Sequence, residues 1–225
     1  MVPLFAQTMI VDRFPESPSP SGAPFSAKEA SVRIQTLADG THITQIGSEE
    51  VTYRDSAGRT RREFTSPDGV RSRSQGQWLP EAVSIIDPVA GFRYELDLKN
   101  KVARRSVYAI ARTPRPVTAG PMAFYGNSKL FGNPKVTSES LGAKMIEGVT
   151  ADGTRTTTIY AVGTVENDRE IIVTNETWFS KQLQIPVLIK LSDPRFGDTN
   201  WKTSNISLAE PEPDLFMPPA DFTIN

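Results

Sequence analysis

Residues 144–191 constrain the fold more than any other stretch, because strand periodicity and turn chemistry agree along its whole length. Its first part, KMIEGVTADGTRTTTIYAV, holds two β-prone runs. The tripeptide Ala151-Asp152-Gly153 between them supplies the positive-φ residues that a tight hairpin turn needs. Its second part, REIIVTNETWFSKQLQIPVLIKLSDP, places Ile171, Val173 and Phe179 on one parity, and Ile185, Val187, Ile189 and Leu191 on another. Side chains two residues apart share one face of a strand, so this pattern predicts a four-stranded antiparallel meander with one half-buried face.

The same punctuation recurs towards the N-terminus. Runs at 31–37 and 41–46 flank Ala38-Asp39-Gly40, and runs at 51–54 and 59–64 flank Asp55-Ser56-Ala57-Gly58. Ser66-Pro67-Asp68-Gly69 ends the second hairpin. Within residues 82–107, Phe92, Tyr94, Leu96 and Leu98 alternate with Arg93, Glu95 and Asp97, which predicts a strand with apolar groups inward and charges outward. A turn at 97–101 returns the chain along 102–107, and 198–208 reads as one more strand. The closing AEPEPDLFMPPADFTIN carries prolines at 211, 213, 218 and 219. Proline lacks the N–H that regular structure needs, so the tail is expected to wrap, with Leu215, Phe216 and Phe222 as anchors. Helix signals are few, the best being short turns at 26–30 and 138–141.

Composition removes several chemistries. The chain has no cysteine and one histidine, His42, among 225 residues, so thiol catalysis, disulfide frameworks and cysteine- or histidine-based metal sites are excluded. GNSKLFG lacks the spacing of a phosphate-binding loop, and no G-x-S-x-G elbow occurs. Asp87, Glu95, Asp97, Glu147, Glu170 and Glu176 are available as a pair of hydrolytic carboxylates, a reaction that needs two such groups facing one cleft. The net charge of −1 conceals a basic middle, where YRDSAGRTRREF is followed by Arg71, Arg73, Arg104, Arg105, Arg112 and Arg115. Such a surface suits lipid head groups, an acidic partner or nucleic acid if its arginines are free, and is a solvated rim if they are paired.

Two segments fall outside the strand pattern. The opening MVPLFAQT is either the end of a secretory signal peptide, with Ala6 near a cleavage site, or an apolar N-terminal strand. Either way FPESPSPSGAP, residues 14–24, follows as an extended proline and serine linker, so residues 1–24 stand apart from a single antiparallel β domain at 25–225. The stretch 110–143 interrupts the strands with proline and glycine around Met122, Phe124, Tyr125, Leu130 and Phe131. Those side chains are expected to act as a lid on an apolar cavity, to dock a partner, or to plug a sheet edge.

The order YRDSAGRTRRE, IIDPVAGFRYELD, IEGVTADGTRTTTIY, ETWFSKQLQIPVLIKLSDP and EPDLFMPPADFTI resembles uncharacterised secreted bacterial proteins. These in turn are similar to the LolA-like and RseB-like superfamily of periplasmic lipoprotein-binding domains. The resemblance spans residues 30–225 and implies a strongly curved, half-open antiparallel barrel whose concave face binds acyl chains or a lipidated peptide. Unlike the lipoprotein carrier, this sequence has no pattern for long lid helices. On this reading Phe92, Tyr94, Ile171, Val173, Phe179, Val187 and Ile189 line the ligand face of a periplasmic or secreted, non-enzymatic binding protein without a cofactor. Its partner is a lipid or lipoprotein acyl chain, with at most peripheral membrane contact and no nucleic acid. The competing expectation is an interaction module that self-associates when its N-terminal strand adds to a neighbour's sheet edge.

Overall fold

Alternation fixes where strands form, whereas long-range pairing fixes which of them are neighbours. A computed structural model describes residues 21–69, 80–108 and 134–225. The first half of the chain gives β1 (Phe25–Thr36), β2 (His42–Arg54), β3 (Thr60–Thr65), β4 (Ala82–Asp87), β5 (Phe92–Asp97) and β6 (Val102–Val107). The second gives β7 (Lys135–Ile146), β8 (Val149–Tyr160), β9 (Ile171–Ser180), β10 (Ile185–Asp193), β11 (Gly197–Ser207) and the short β12 (Thr223–Ile224). All twelve belong to one curved sheet that does not close, in the order β12-β6-β5-β4-β3-β2-β1-β11-β10-β9-β8-β7. Pairing is antiparallel except for the parallel contact of β12 with β6. β1 therefore lies in the middle, with one meander running outward on each side of it.

Several local expectations are corrected by the pairing. The turn between β7 and β8 is Glu147-Gly148, with φ of +48° and +84°, and not Ala151-Asp152-Gly153. Two consecutive positive-φ residues match the right-handed twist of a hairpin, so the chain turns there and Gly153 stays inside β8. Gly153 is needed for close packing: a Cβ at this position would meet Cζ3 of Trp178 at 2.6 Å. The runs 41–46 and 51–54 form one strand, β2, whose register against β1 shifts between Ala30 and Val32. A Cβ on Gly47 would collide with Ser31 beside that bulge. The helical turns expected at 26–30 and 138–141 are strand residues of β1 and β7, because ladder pairing on a long sheet overrides weak local propensity.

Two apolar clusters hold the sheet. One joins Phe25 and Ala27 of β1 to Val149, Ala151, Trp178, Leu183, Ile185 and Val187. Arg54 ties the same region together: its Nη2 donates to the Leu183 carbonyl at 2.7 Å and its Nε to the Ala23 carbonyl at 2.8 Å, while its guanidinium lies over the Phe25 ring. β2 and the β9–β10 turn lie on different strands of the sheet, so this contact requires the sheet to bend. The other cluster comprises Val83, Ile85, Leu96, Ala103 and Phe216, with Tyr94, Leu98, Leu215 and Phe222 packed on it. The proline-rich tail wraps as expected. Phe216 is fully buried under Arg59, and the backbone beyond it pairs with β6 from Lys101 to Arg105.

Candidate ligand-binding face

β8, β9 and β10 pair without interruption over the stretch that carries most of the expected lining. Ile171 faces Tyr160, Val173 faces Thr158, Ile189 faces Thr177 and Leu191 faces Asn175. Directly opposed residues lie on the same side of a sheet, so Ile171, Val173, Phe179 and Ile189 share one face with Tyr160, Thr158, Asn175 and Leu191. Val173 is buried, and Ile171, Phe179, Ile189 and Leu191 are half-buried. Asn175 carries the amide of this row, whose other polar members are the threonines Thr158 and Thr177. Its Nδ2 donates to Thr177 Oγ1 at 3.4 Å, and its buried Oδ1 has no hydrogen-bond partner among the described residues. At the end of the row Arg195 stacks 5.0 Å over the Tyr160 ring and binds Asp193. Burial raises the Asp193 pKa, but hydrogen bonds from Arg195 and the charges of Arg195 and Arg33 outweigh it and leave the carboxyl below its usual range.

Val187 does not belong to this face. A bulge between Pro186 and Leu188 inserts one extra residue into β10, so the parity that linked Val187 to Ile189 is broken. Val187 is completely buried in the cluster around Trp178, on the opposite side of β9 from Val173. Phe92 and Tyr94 sit on β5, on the other side of β1 in the strand order, where Tyr94 packs on the second cluster and Arg105 lies 4.7 Å from the Phe92 ring centre. The sheet therefore brings together four of the seven expected lining residues and leaves the other three elsewhere. Met122, Phe124, Tyr125, Leu130 and Phe131 lie outside the described residues. Sequence reasoning passed over Thr158 and Tyr160, whose signal was the alternation within TRTTTIY, and Asn175, which follows Val173 at the same parity.

The charged groups are largely engaged within the protein. Arg59 pairs with Asp55, Arg61 with Glu63, Arg62 with Glu50 and Arg93 with Glu95, so the basic stretch is mostly neutralised. Arg71, Arg73, Arg112 and Arg115 fall outside the described residues. Five of the six carboxylates considered for hydrolysis are tied up as well, and the sixth, Glu170, is exposed. A hydrogen bond from Arg155 holds Glu176 below its usual pKa, one from Lys202 does the same for Glu147, and the Asn100 side chain and backbone do so for Asp97. Asp87 caps the backbone N–H groups of Val89 and Ala90, and Glu95 binds Arg93. A general acid needs the opposite shift, a raised pKa. His42 meets the Thr36 hydroxyl at 3.0 Å on an exposed hairpin. An open groove of about 660 Å³ at the β5–β6 turn sets Pro80, Leu96 and Leu98 among the charged Glu81, Glu95, Asp97, Lys99 and Arg104.

The fold and this face define an open, curved antiparallel sheet with an apolar stripe interrupted by one buried amide. No family model and no curated protein sequence matches the chain. Among solved structures it is similar to MucB in the Pseudomonas aeruginosa MucA/MucB complex, with a TM-score of 0.41 and 13% identity over 90% of this chain and 58% of that one. It is also similar to a LolA superfamily protein from Nitrosomonas europaea, with a TM-score of 0.33 and 8% identity over 89% and 92% of the two chains. A third similar structure is LprF from Mycobacterium bovis, with a TM-score of 0.28 and 11% identity. The chain spans only about three fifths of the MucB chains it matches.

Proposed function

We propose that this chain is a non-enzymatic periplasmic or secreted protein that binds the acyl chain of a lipid or lipoprotein along the β9–β10 face. The observation that carries this reading is the apolar stripe of Ile171, Val173, Ile189 and Leu191 on an open sheet, interrupted by the Asn175 amide and flanked by Tyr160 and Phe179. An acyl chain is recognised by apolar contact area, which such a row provides, and each methylene removed from water contributes about 0.8 kcal/mol. Five of the six carboxylates considered for hydrolysis are committed to arginine, lysine, asparagine or backbone partners, which favours binding over hydrolysis. Titration with a fluorescent fatty acid tests the proposal. Saturable binding that is lost in Ile171→Glu and Ile189→Glu, with unfolding midpoints close to the parent, is the expected result. Equal binding by parent and both variants would place any ligand elsewhere.

A further inference from the structure

Arg33 stands on the same side of the sheet as the apolar stripe. Register across β2, β1, β11, β10 and β9 sets Gln45, Arg33, Thr199, Leu191 and Asn175 opposite one another in a single line, so all five project from one face. Arg33 is two strands from Leu191, about 10 Å at ordinary strand spacing. Its Nε donates to the Phe196 carbonyl at 2.7 Å, which anchors the guanidinium at the β10–β11 turn. The Phe196 ring centre lies 5.7 Å from Arg33 Cζ and 5.3 Å from Arg195 Cζ. Asp193 shares the parity of Ile189 and Leu191 and accepts hydrogen bonds from Nε and Nη2 of Arg195. The Arg33 charge also reaches Asp193 and helps to keep its carboxyl ionised. Two guanidinium groups therefore share one carboxylate where the stripe ends. Asp198, opposite Ile34, projects from the other face, and Asp39 caps the β1–β2 turn through the Thr41 N–H.

We propose that Arg33 binds the anionic head group of the acyl ligand, a carboxylate or a phosphate, at this end of the β9–β10 face. The inference rests on the acyl-binding reading and adds to it the chemical class of the head. Arg195 is neutralised by Asp193, so the cluster keeps one positive charge, and Arg33 carries it. With Nε held by the Phe196 carbonyl, the plane of the guanidinium is fixed and its Nη groups form a fork. Such a fork matches the two oxygens of a carboxylate or phosphate, which accept a pair of charge-assisted bonds. The uncharged Gln45 and Thr199 on either side offer further hydrogen bonds without competing for the charge. A chain whose head lies at Arg33 then crosses Thr199 and Leu191 to reach Val173 and Ile171.

Displacement of the neutral dye Nile red from the 225-residue chain at about pH 8 tests this with dodecanoate, dodecyl phosphate and dodecanol, which share one chain length and differ in the head. The two anions are expected to displace the dye at concentrations on the order of tenfold lower than dodecanol, the advantage of one charge pair near a protein surface. Arg33→Gln should bring both anions to the level of dodecanol, and Arg33→Lys, which keeps the charge and loses the fork, should retain part of the advantage. An advantage for dodecanoate alone supports the site with a free fatty acid as its ligand, and one for dodecyl phosphate alone supports it with a phosphate head group. Equal displacement by all three, or an anion advantage that survives Arg33→Gln, would overturn the head-group site and leave the acyl-binding reading standing. No displacement by any of them would refute that reading, and the head-group site with it.

Discussion

The packing of Trp178 on Gly153 gives the sharpest test of the sheet's construction. A Cβ at position 153 would lie 2.6, 2.7 and 2.8 Å from Cζ3, Cη2 and Cε3 of the indole, whereas ordinary contact begins at 3.4 Å. Gly153→Ala must therefore push the ring, or β8, by most of an ångström within a cluster where Trp178 is only 7% exposed and Lys144 lies over the ring. Overpacking of this kind costs about 1–3 kcal/mol. Trp178→Ala alone should cost about 3–5 kcal/mol through lost burial and a cavity. With the ring gone, the added methyl loses its three nearest clashes and relieves the entropic weakness of glycine in a strand, so Gly153→Ala becomes neutral or stabilising by about 0.5 kcal/mol. The double-mutant cycle, read by urea unfolding with far-UV circular dichroism, should give a coupling of about 2 kcal/mol. Equal costs for Gly153→Ala in the two backgrounds would refute the packing argument.

Other perturbations separate core from face. Val187→Glu should abolish folding, because an unpaired charge would be fully buried, whereas Ile171→Glu should leave a folded protein that has lost ligand; circular dichroism and the fatty-acid titration distinguish the two. Phe216→Ala should destabilise by about 3–5 kcal/mol in urea, since the tail loses its anchor against β3 and β4. Asp193→Asn should cost about 2 kcal/mol near neutral pH through the lost charge-assisted bonds to Arg195. Because the folded pKa of Asp193 lies below its unfolded value, that stabilisation is complete above about pH 4 and disappears as pH falls through the folded value. The parent should therefore lose more stability on acidification than the Asn variant, as measured by urea midpoints between pH 6 and pH 3.

Period-two alternation made most strands legible, and the tail anchors Leu215, Phe216 and Phe222 were readable because prolines left them no other role. Turn chemistry was less decisive. Asp152-Gly153 and Glu147-Gly148 both look like hairpin turns, and only the presence of Trp178 across the sheet shows that Gly153 is reserved for packing. The bulge at Val187 leaves no mark in an unbroken run of alternating aliphatics, so parity assigned Val187 to the wrong side. The central place of β1 was also hidden, since its pairing with β11 joins residues from opposite ends of the chain. Of the candidate face, the aliphatic half was visible in sequence. Tyr160 and Thr158 were not, because their place beside Ile171 and Val173 depends on the register of β8 against β9, whereas Asn175 shared the parity of Val173 and was passed over as polar.

The claim that the β9–β10 face holds an acyl chain is tested most directly by native mass spectrometry of the protein isolated from its own cell envelope, followed by solvent extraction of what accompanies it. The account predicts one lipid or lipopeptide per chain, absent from Ile189→Glu isolated in the same way. A bare parent chain, or the same bound lipid on both proteins, would contradict it.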